Sequence, residues 1–424
     1  MNVFLFFAAF LAVSFAFPIQ YEMFEGHQVL RIVPQTKEQL EHLLAIESSG
    51  ILVDFWIEPR QVGKAVHLRV TPQQHDDVLA YLKKHEMDHT IYIENLRTLV
   101  ERESKELAER VPFNAGDDPS KITLNQYHTL ADILAYMNSV ATANPTLASI
   151  VNIGTSYQKQ ALTAIKIGNP GTNKPAVWID GGIHAREWIT TATVLYIINE
   201  LTTKQSQYSK LLSTIDVYLM PVVNADGYTY TFTTDRMWRK TRSGPRSGCY
   251  GVDPNRNWNF KWGVAGSSSN PCSETYDGPS PFSEVEPKQV ADFLTANKAN
   301  LKAYFNLHSY SEDWMYPFGW AAHTYPTDVN KLKAISAQAV AAIQAVNGEK
   351  FQYGSITDIV YPASGSTIDF TNAVLGIDYS FGMELRPNGD ASNGFVLPPS
   401  QIIAGASETW AGLQVVLNAV ANGQ

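Results

Sequence analysis

The chain has 424 residues, a formal net charge of −9, 45% hydrophobic and 17% charged residues. That composition excludes a disordered chain, which lacks the apolar material for a core, and the negative balance argues against nucleic acid as a partner, because phosphate contacts need basic patches. Two cysteines cannot knit a disulfide scaffold or supply a four-thiolate metal site, whereas ten histidines leave room for an imidazole one.

Residues 3–17 are apolar apart from Ser14. The run is too short for a bilayer, which takes about 20 residues. It fits the core of a secretory signal peptide, with Ser14 and Ala16 as the small residues before the cleavage point. Residues 1–16 are therefore expected to be removed and the protein secreted. No later run is long and apolar enough to span a membrane, so no membrane partner is expected.

Charge density then divides the chain. Residues 17–110 carry 16 acidic and 11 basic side chains, while the much longer segment 111–424 carries 25 and 21. In the first part, residues 28–33, 51–57, 65–70 and 90–93 read as strands, and 36–46 and 72–84 as helices with a Thr cap on the first. The order βαββαβ predicts a small α/β open sandwich of the ferredoxin-like kind. Residues 94–110 read as a charged, solvated helix connecting the two parts. Its Arg97, Arg102, Lys105 and Arg110 would make it sensitive to trypsin-like proteases.

The second part alternates strands at 176–180, 216–223, 301–307 and 379–385 with helices at 187–201, 285–294, 329–346 and 399–419. This predicts one α/β domain with a central mixed sheet covered by helices on both faces. Ligands of such sheets gather beyond the carboxyl ends of the strands.

Candidate chemistry sits at those ends. Asp180-Gly181-Gly182-Ile183-His184-Ala185-Arg186-Glu187-Trp188 follows a buried strand and opens a helix. His184 and Glu187, three apart, share a helix face. Alone, that spacing is more often a capped helix start than a ligand pair. His308, closing the strand at 301–307, adds a third donor, and two His plus one Glu leave a fourth position open, as catalytic zinc requires. His128 and His323 have no acidic partner nearby in sequence and read as surface or structural residues. No Gly-x-Ser-x-Gly elbow occurs, which argues against a serine hydrolase.

Gly182-Ile183-His184-Ala185-Arg186-Glu187-Trp188 with His308-Ser309-Tyr310 resembles the zinc metallocarboxypeptidases of the pancreatic and digestive A/B type. The stretches 237–243, 253–258 and 384–386 match in family order, and Phe24-Glu25-Gly26-His27-Gln28-Val29-Leu30-Arg31 is similar to the start of the family's propeptide. The resemblance implies a procarboxypeptidase zymogen: signal peptide 1–16, activation propeptide 17–110 with its connecting helix, and catalytic domain 111–424. It implies one zinc ion on His184, Glu187 and His308, the ligand set for which carboxypeptidase A is itself a type example, with Asp253 orienting His184.

The same resemblance assigns the other roles. Glu384 would be the general base, taking a proton from the attacking water and passing it to the leaving amine; a buried salt bridge to Arg386 is the structural alternative. Arg239 would hold the developing oxyanion, its neighbours Lys240 and Arg242 reading as surface residues. Arg256 would bind the terminal carboxylate, with Asn255 and Tyr361 adding neutral hydrogen bonds. Arg186 and Tyr310 would line the approach for upstream substrate residues. Cys249 and Cys272 would form the family disulfide, and the bond before Pro387 would be cis. Partners implied are peptides with a free C-terminal carboxylate, a trypsin-like activating protease cutting near Arg110, and proteinaceous carboxypeptidase inhibitors. The enzyme is expected to be a monomer, and a non-enzymatic binding relative is disfavoured because no catalytic position is lost.

Specificity should follow from Ile368, which holds a position that is apolar in the A type and acidic in the B type. An apolar residue there cannot pair a substrate Lys or Arg, so apolar C-terminal residues are expected. Asp369 leaves the B-type reading open: were it to face the pocket, basic residues would be preferred, and strand alternation lets only one of the two do so. Met315, Ile356, Gly319, Ala363 and Gly382 match the other pocket-lining positions, the glycines leaving width for aromatic side chains.

Overall fold

A computed structural model describes residues 20–424, so the signal-peptide segment 1–16 lies outside the described residues. The N-terminal unit carries strands β1 (Gln28–Ile32), β2 (Asp54–Ile57), β3 (Val66–Val70) and β4 (His89–Ile93), with helices Lys37–Leu44 and His75–Lys84 between them. The sheet is antiparallel with order β2-β3-β1-β4, the ferredoxin-like arrangement expected. Thr36 caps the first helix by accepting from the Gln39 amide at 3.1 Å.

Alternation along these strands gives the sheet two different faces. Leu30, Ile32, Val66, Leu68 and Val70 pack with Leu43, Val78 and Leu82 of the two helices in a core of their own. Val29, Trp56 and Ile57 join the core of the larger unit instead. The second face, which also carries Asp54, His67 and Arg69, is thus an interface rather than a solvated surface.

The connecting helix runs Leu96–Ala108, capped by Asn95. It is not wholly solvated, because Leu96, Val100, Glu103 and Ser104 are buried and Glu103 takes both Nε and Nη2 of the buried Arg236. The buried carboxylate is tolerated because it is paired.

The larger unit holds strands β5 (Ala148–Thr155), β6 (Ala161–Ile167), β7 (Ala176–Asp180), β8 (Asp216–Met220), β9 (Leu301–Ser309), β10 (Asp313–Tyr316), β11 (Gln352–Ser355) and β12 (Tyr379–Leu385). They form one mixed sheet in the order β11-β10-β12-β9-β7-β8-β6-β5. The central β8, β7, β9 and β12 are parallel, and every residue of β7 is buried, as expected of strands covered on both faces. Helices Trp188–Thr203, Val329–Asn347 and Ile402–Ala421 pack beside one another against it. Cys249 and Cys272 are disulfide-bonded with Cα atoms 5.2 Å apart, and the Arg386–Pro387 bond is cis. Among the described residues no helix is long and apolar enough to cross a membrane.

Candidate metal centre and substrate cleft

The site is built at the carboxyl ends of β7, β9 and β12. Gly181 and Gly182 let β7 turn into the helix Trp188–Thr203: a Cβ on Gly181 would lie 2.9 Å from the Thr190 backbone, and Gly182 has φ +60°. The turn delivers His184 and Glu187 beside His308 of β9. His184 Nδ1 is 2.9 Å from Glu187 Oε1, and His308 Nδ1 is 3.1 Å from His184 Nδ1 and 3.2 Å from Glu187 Oε2. All three side chains are buried and their donor atoms lie within 4.8 Å of one another.

The outer ring nitrogens test whether these residues suit a metal. His184 Nε2 donates to Asp253 Oδ1 at 3.0 Å, and His308 Nε2 donates to Asn306 Oδ1. Asn306 is held the right way round because its Nδ2 donates to Asp180, which also accepts from Trp178 Nε1 and Tyr304 Oη. With both outer nitrogens protonated, both Nδ1 lone pairs are free to face Glu187. Two neutral imidazoles and one carboxylate suit zinc and leave a coordination position open.

Around this centre the cations are ordered by one carboxylate. Arg239 Nη2 donates to Asp253 Oδ2 at 2.8 Å. Arg256 Nη2 donates to Tyr361 Oη at 2.6 Å and its Nε to the Gly266 carbonyl at 2.8 Å. Asn255 Oδ1 accepts from the Thr367 amide. Burial would raise Asp253, but Arg239, His184 and Arg256 hold it well below its ordinary value. Glu384 stands opposite His308 in the β12–β9 register and lines the cleft with Arg239, Asn255, Arg256, Tyr310 and Tyr361. Burial, with Glu187 and Asp313 nearby, pushes its carboxyl well above the usual range while Arg60 opposes. The alternative bridge to Arg386 does not form: Arg386 turns to Glu408 at 2.6 Å and to Glu349.

Met315, Ile356, Val360, Ala363, Ile368 and Gly382 make the apolar end of the cleft. Ile368 lies on a helix, Thr367–Ala373, and not on a strand. Ser366 caps that helix by accepting from the Asp369 amide. The 100° step between helical neighbours turns Asp369 away, and its carboxylate accepts from the Gly319 and Trp320 amides at 2.9 and 3.1 Å. Gly319 does not line the cleft either. A Cβ there would sit 2.6 Å from the Ala363 carbonyl and 2.8 Å from Ile356, so the glycine serves close packing; one on Gly382 would point at Ile368, 3.5 Å away, within the cleft.

Two further expectations change. Lys240 is buried, its Nζ donating to the Pro271 and Ser273 carbonyls, and Arg242 stacks 3.6 Å above the Tyr230 ring. Neither is a free surface charge. Arg186 is fully buried under the N-terminal unit, its Nη1 donating to Asp54 Oδ1 at 2.8 Å. Tyr310 lines the cleft, but its hydroxyl is engaged by His67 Nδ1 at 2.8 Å.

Sequence reasoning missed the residues that fill the cleft from the N-terminal side. Trp56, Glu58 and Arg60 line it, and the Trp56 ring packs 4.9 Å from Phe395. It also missed Asn306 and Thr367, whose roles depend on contacts between β9 and the capped helix. Arg110 follows the connecting helix, paired with Asp132 at 2.6 Å, and the next residue, Val111, is 63% exposed.

Residues 133–412 match the zinc carboxypeptidase family and residues 30–103 the carboxypeptidase activation peptide. Rat carboxypeptidase A2 is 41% identical over 404 residues, covering 94% of this chain and 95% of the relative. Carboxypeptidase B of Astacus astacus is 46% identical over 296 residues, covering 69% of this chain and 97% of the relative. The crystal structure of carboxypeptidase A from Helicoverpa armigera superposes with a TM-score of 0.87 at 28% identity, over 94% of this chain and 98% of that one. This chain belongs to the zinc carboxypeptidase family, as a carboxypeptidase A-like zymogen that carries its activation peptide ahead of a His-Glu-His metal site.

Proposed function

We propose that the enzyme removes apolar and aromatic residues from the C-termini of peptides. The observation that carries this is the orientation of Ile368 into the cleft, with Asp369 turned out of it and tied to two backbone amides. A substrate Lys or Arg entering that end would lose its hydration with no carboxylate to meet it. The test is a panel of peptides differing only in the C-terminal residue. Faster release of Phe or Leu than of Lys supports the reading, and the reverse order rejects it. A B-type preference is the second reading, favoured by the high identity to the Astacus carboxypeptidase B.

In this mechanism Arg256 grips the terminal carboxylate with its planar fork, and Asn255 and the Tyr361 hydroxyl add hydrogen bonds. Arg239, 3.7 Å from Glu187 on the metal side, faces the scissile carbonyl oxygen and holds its charge as it develops. Glu384 accepts a proton from the attacking water and hands it to the leaving amine. Asp253 keeps His184 and Arg239 in register. His184, Glu187 and His308 would hold the zinc ion, which would supply Lewis acidity at this point of the cleft.

Residues 17–110 are the prosegment in this reading, and 1–16 the signal that directs secretion. Trp56, Glu58 and Arg60 wall the cleft from the N-terminal unit, so substrate gains full access after a trypsin-like protease cuts near Arg110 and the unit departs. Protein inhibitors that present a C-terminal carboxylate would use the same cleft.

A further inference from the structure

We propose that Asp313 and Ser311 form an anionic subsite that receives a basic side chain of the substrate on the upstream side of the scissile bond. This rests on the reading that the catalytic unit works as a carboxypeptidase once residues 17–110 have left.

Asp313 opens β10 and stands directly opposite Glu384 of β12, while Met315 stands opposite Gly382. Residues opposite one another in an antiparallel pair share a face, and so do residues two apart on one strand. Met315, Gly382 and Glu384 all line the cleft, so Asp313 lies on the cleft side. Two strand residues span about 6.6 Å. Asp313 therefore stands level with Glu384, one such step from the apolar end at Met315 and Gly382, and Ser311, whose amide donates to the Leu385 carbonyl, lies beyond Glu384. Upstream residues of a bound peptide run in that direction.

The subsite already holds a guanidinium. Arg60 Nη1 donates to Asp313 Oδ2 at 2.9 Å and its Nη2 to Ser311 Oγ at 2.8 Å. Ser311 Oγ donates to the same carboxylate oxygen at 2.6 Å, and Gln352 Nε2 steadies the other at 2.5 Å. The Asp313 side chain is 0% exposed under this cover and that of Arg60 only 9%. Among the described residues Arg60 is the cation within ion-pair distance of Asp313. Arg60 belongs to the N-terminal unit and leaves with it. The departure uncovers a carboxylate and a hydroxyl set to receive a planar fork, on the face along which substrate must lie. A Lys or Arg before the C-terminal residue meets the same two acceptors, and a Glu meets like charge.

The full chain is activated with trypsin, and kcat/KM is measured for N-acetylated tetrapeptides ending in Phe, with Arg, Gln or Glu at the penultimate or the preceding position. At one of the two positions Arg is favoured over Gln by about tenfold and Glu is disfavoured, and the preference shrinks in about 1 M NaCl as charge is screened. Asp313→Asn brings the Arg-to-Gln ratio toward one, and Ser311→Ala lowers it by less. Each ratio is internal to one enzyme preparation, so a general loss of activity cancels. A wild type with no preference at either position, or a ratio unchanged in Asp313→Asn, overturns the subsite. Release of Lys in place of Phe would overturn the apolar reading alone, and the same ratios are then read on peptides ending in Lys.

Discussion

Asp54 of the N-terminal unit and Arg186 of the metal-bearing turn form a buried ion pair, Oδ1 to Nη1 at 2.8 Å. Asp54 is 6% exposed and Arg186 0%, and Arg69 Nε lies 2.8 Å from the other Asp54 oxygen. The pair couples latency to the fold, because the strand that supplies Asp54 also leads Trp56, Glu58 and Arg60 into the cleft. Removing one partner of a buried pair costs about 3–5 kcal/mol, since the other charge stays buried. Asp54→Ala is therefore expected to loosen the N-terminal unit, giving measurable activity in the uncut chain and faster trypsin activation. An uncut variant as silent and as slowly activated as wild type would reject this.

Acid should loosen the same interface through His67. Burial, with Arg31 and Arg60 nearby, pushes its imidazole down to about 3. A base whose folded pKa is depressed contributes stability that is present above its unfolded pKa and lost as pH falls below it. With an unfolded value of about 6.5, the loss begins near that pH and amounts to about 2 kcal/mol between pH 7 and pH 5. The zymogen's thermal stability should fall over this range by more than that of His67→Gln. Parallel stability curves for the two proteins would show that His67 does not carry the effect.

Gly382 sets the width of the apolar end. A methyl added there would contact Ile368 at 3.5 Å and Met315 at 3.8 Å without a backbone clash, so Gly382→Ala should fold and take space only from substrate. One methylene in such a pocket is worth about 1–3 kcal/mol. The variant should lose kcat/KM on C-terminal Trp and Phe by about tenfold or more and keep most of it on Val. Equal losses on all three would mean that Gly382 does not bound the pocket.

What the sequence made legible was local. β7 announced itself as an unbroken apolar run, and its turn carried His184 and Glu187 at helical spacing. The helix under Ile368 was misread as a strand although Ser366-x-x-Asp369 has the spacing of a capping box. Seven residues are too few to show a helical period. β5 escaped notice because it is an edge strand with several exposed positions. The Arg60–Asp313 contact spans 253 positions in the chain and follows only from how two units dock, which no spacing rule encodes.

Asn306 gives the metal site its most specific test. Its carbonyl accepts from His308 Nε2, and its amide is oriented by Asp180, itself buried with three donors around it. Loss of this acceptor frees the His308 ring to rotate or to present the wrong tautomer. Outer partners of metal-ligating histidines are worth about 10–100-fold in metal affinity. Asn306→Ala should therefore release zinc to a competing chelator about 10–100-fold more readily than wild type, and added zinc should restore the lost activity. Glu384→Gln provides the contrast: Glu384 is not among the clustered donors, so that variant should retain zinc like wild type while turnover falls by about 100-fold or more. If Asn306→Ala holds zinc as tightly as Glu384→Gln does, the amide does not position His308.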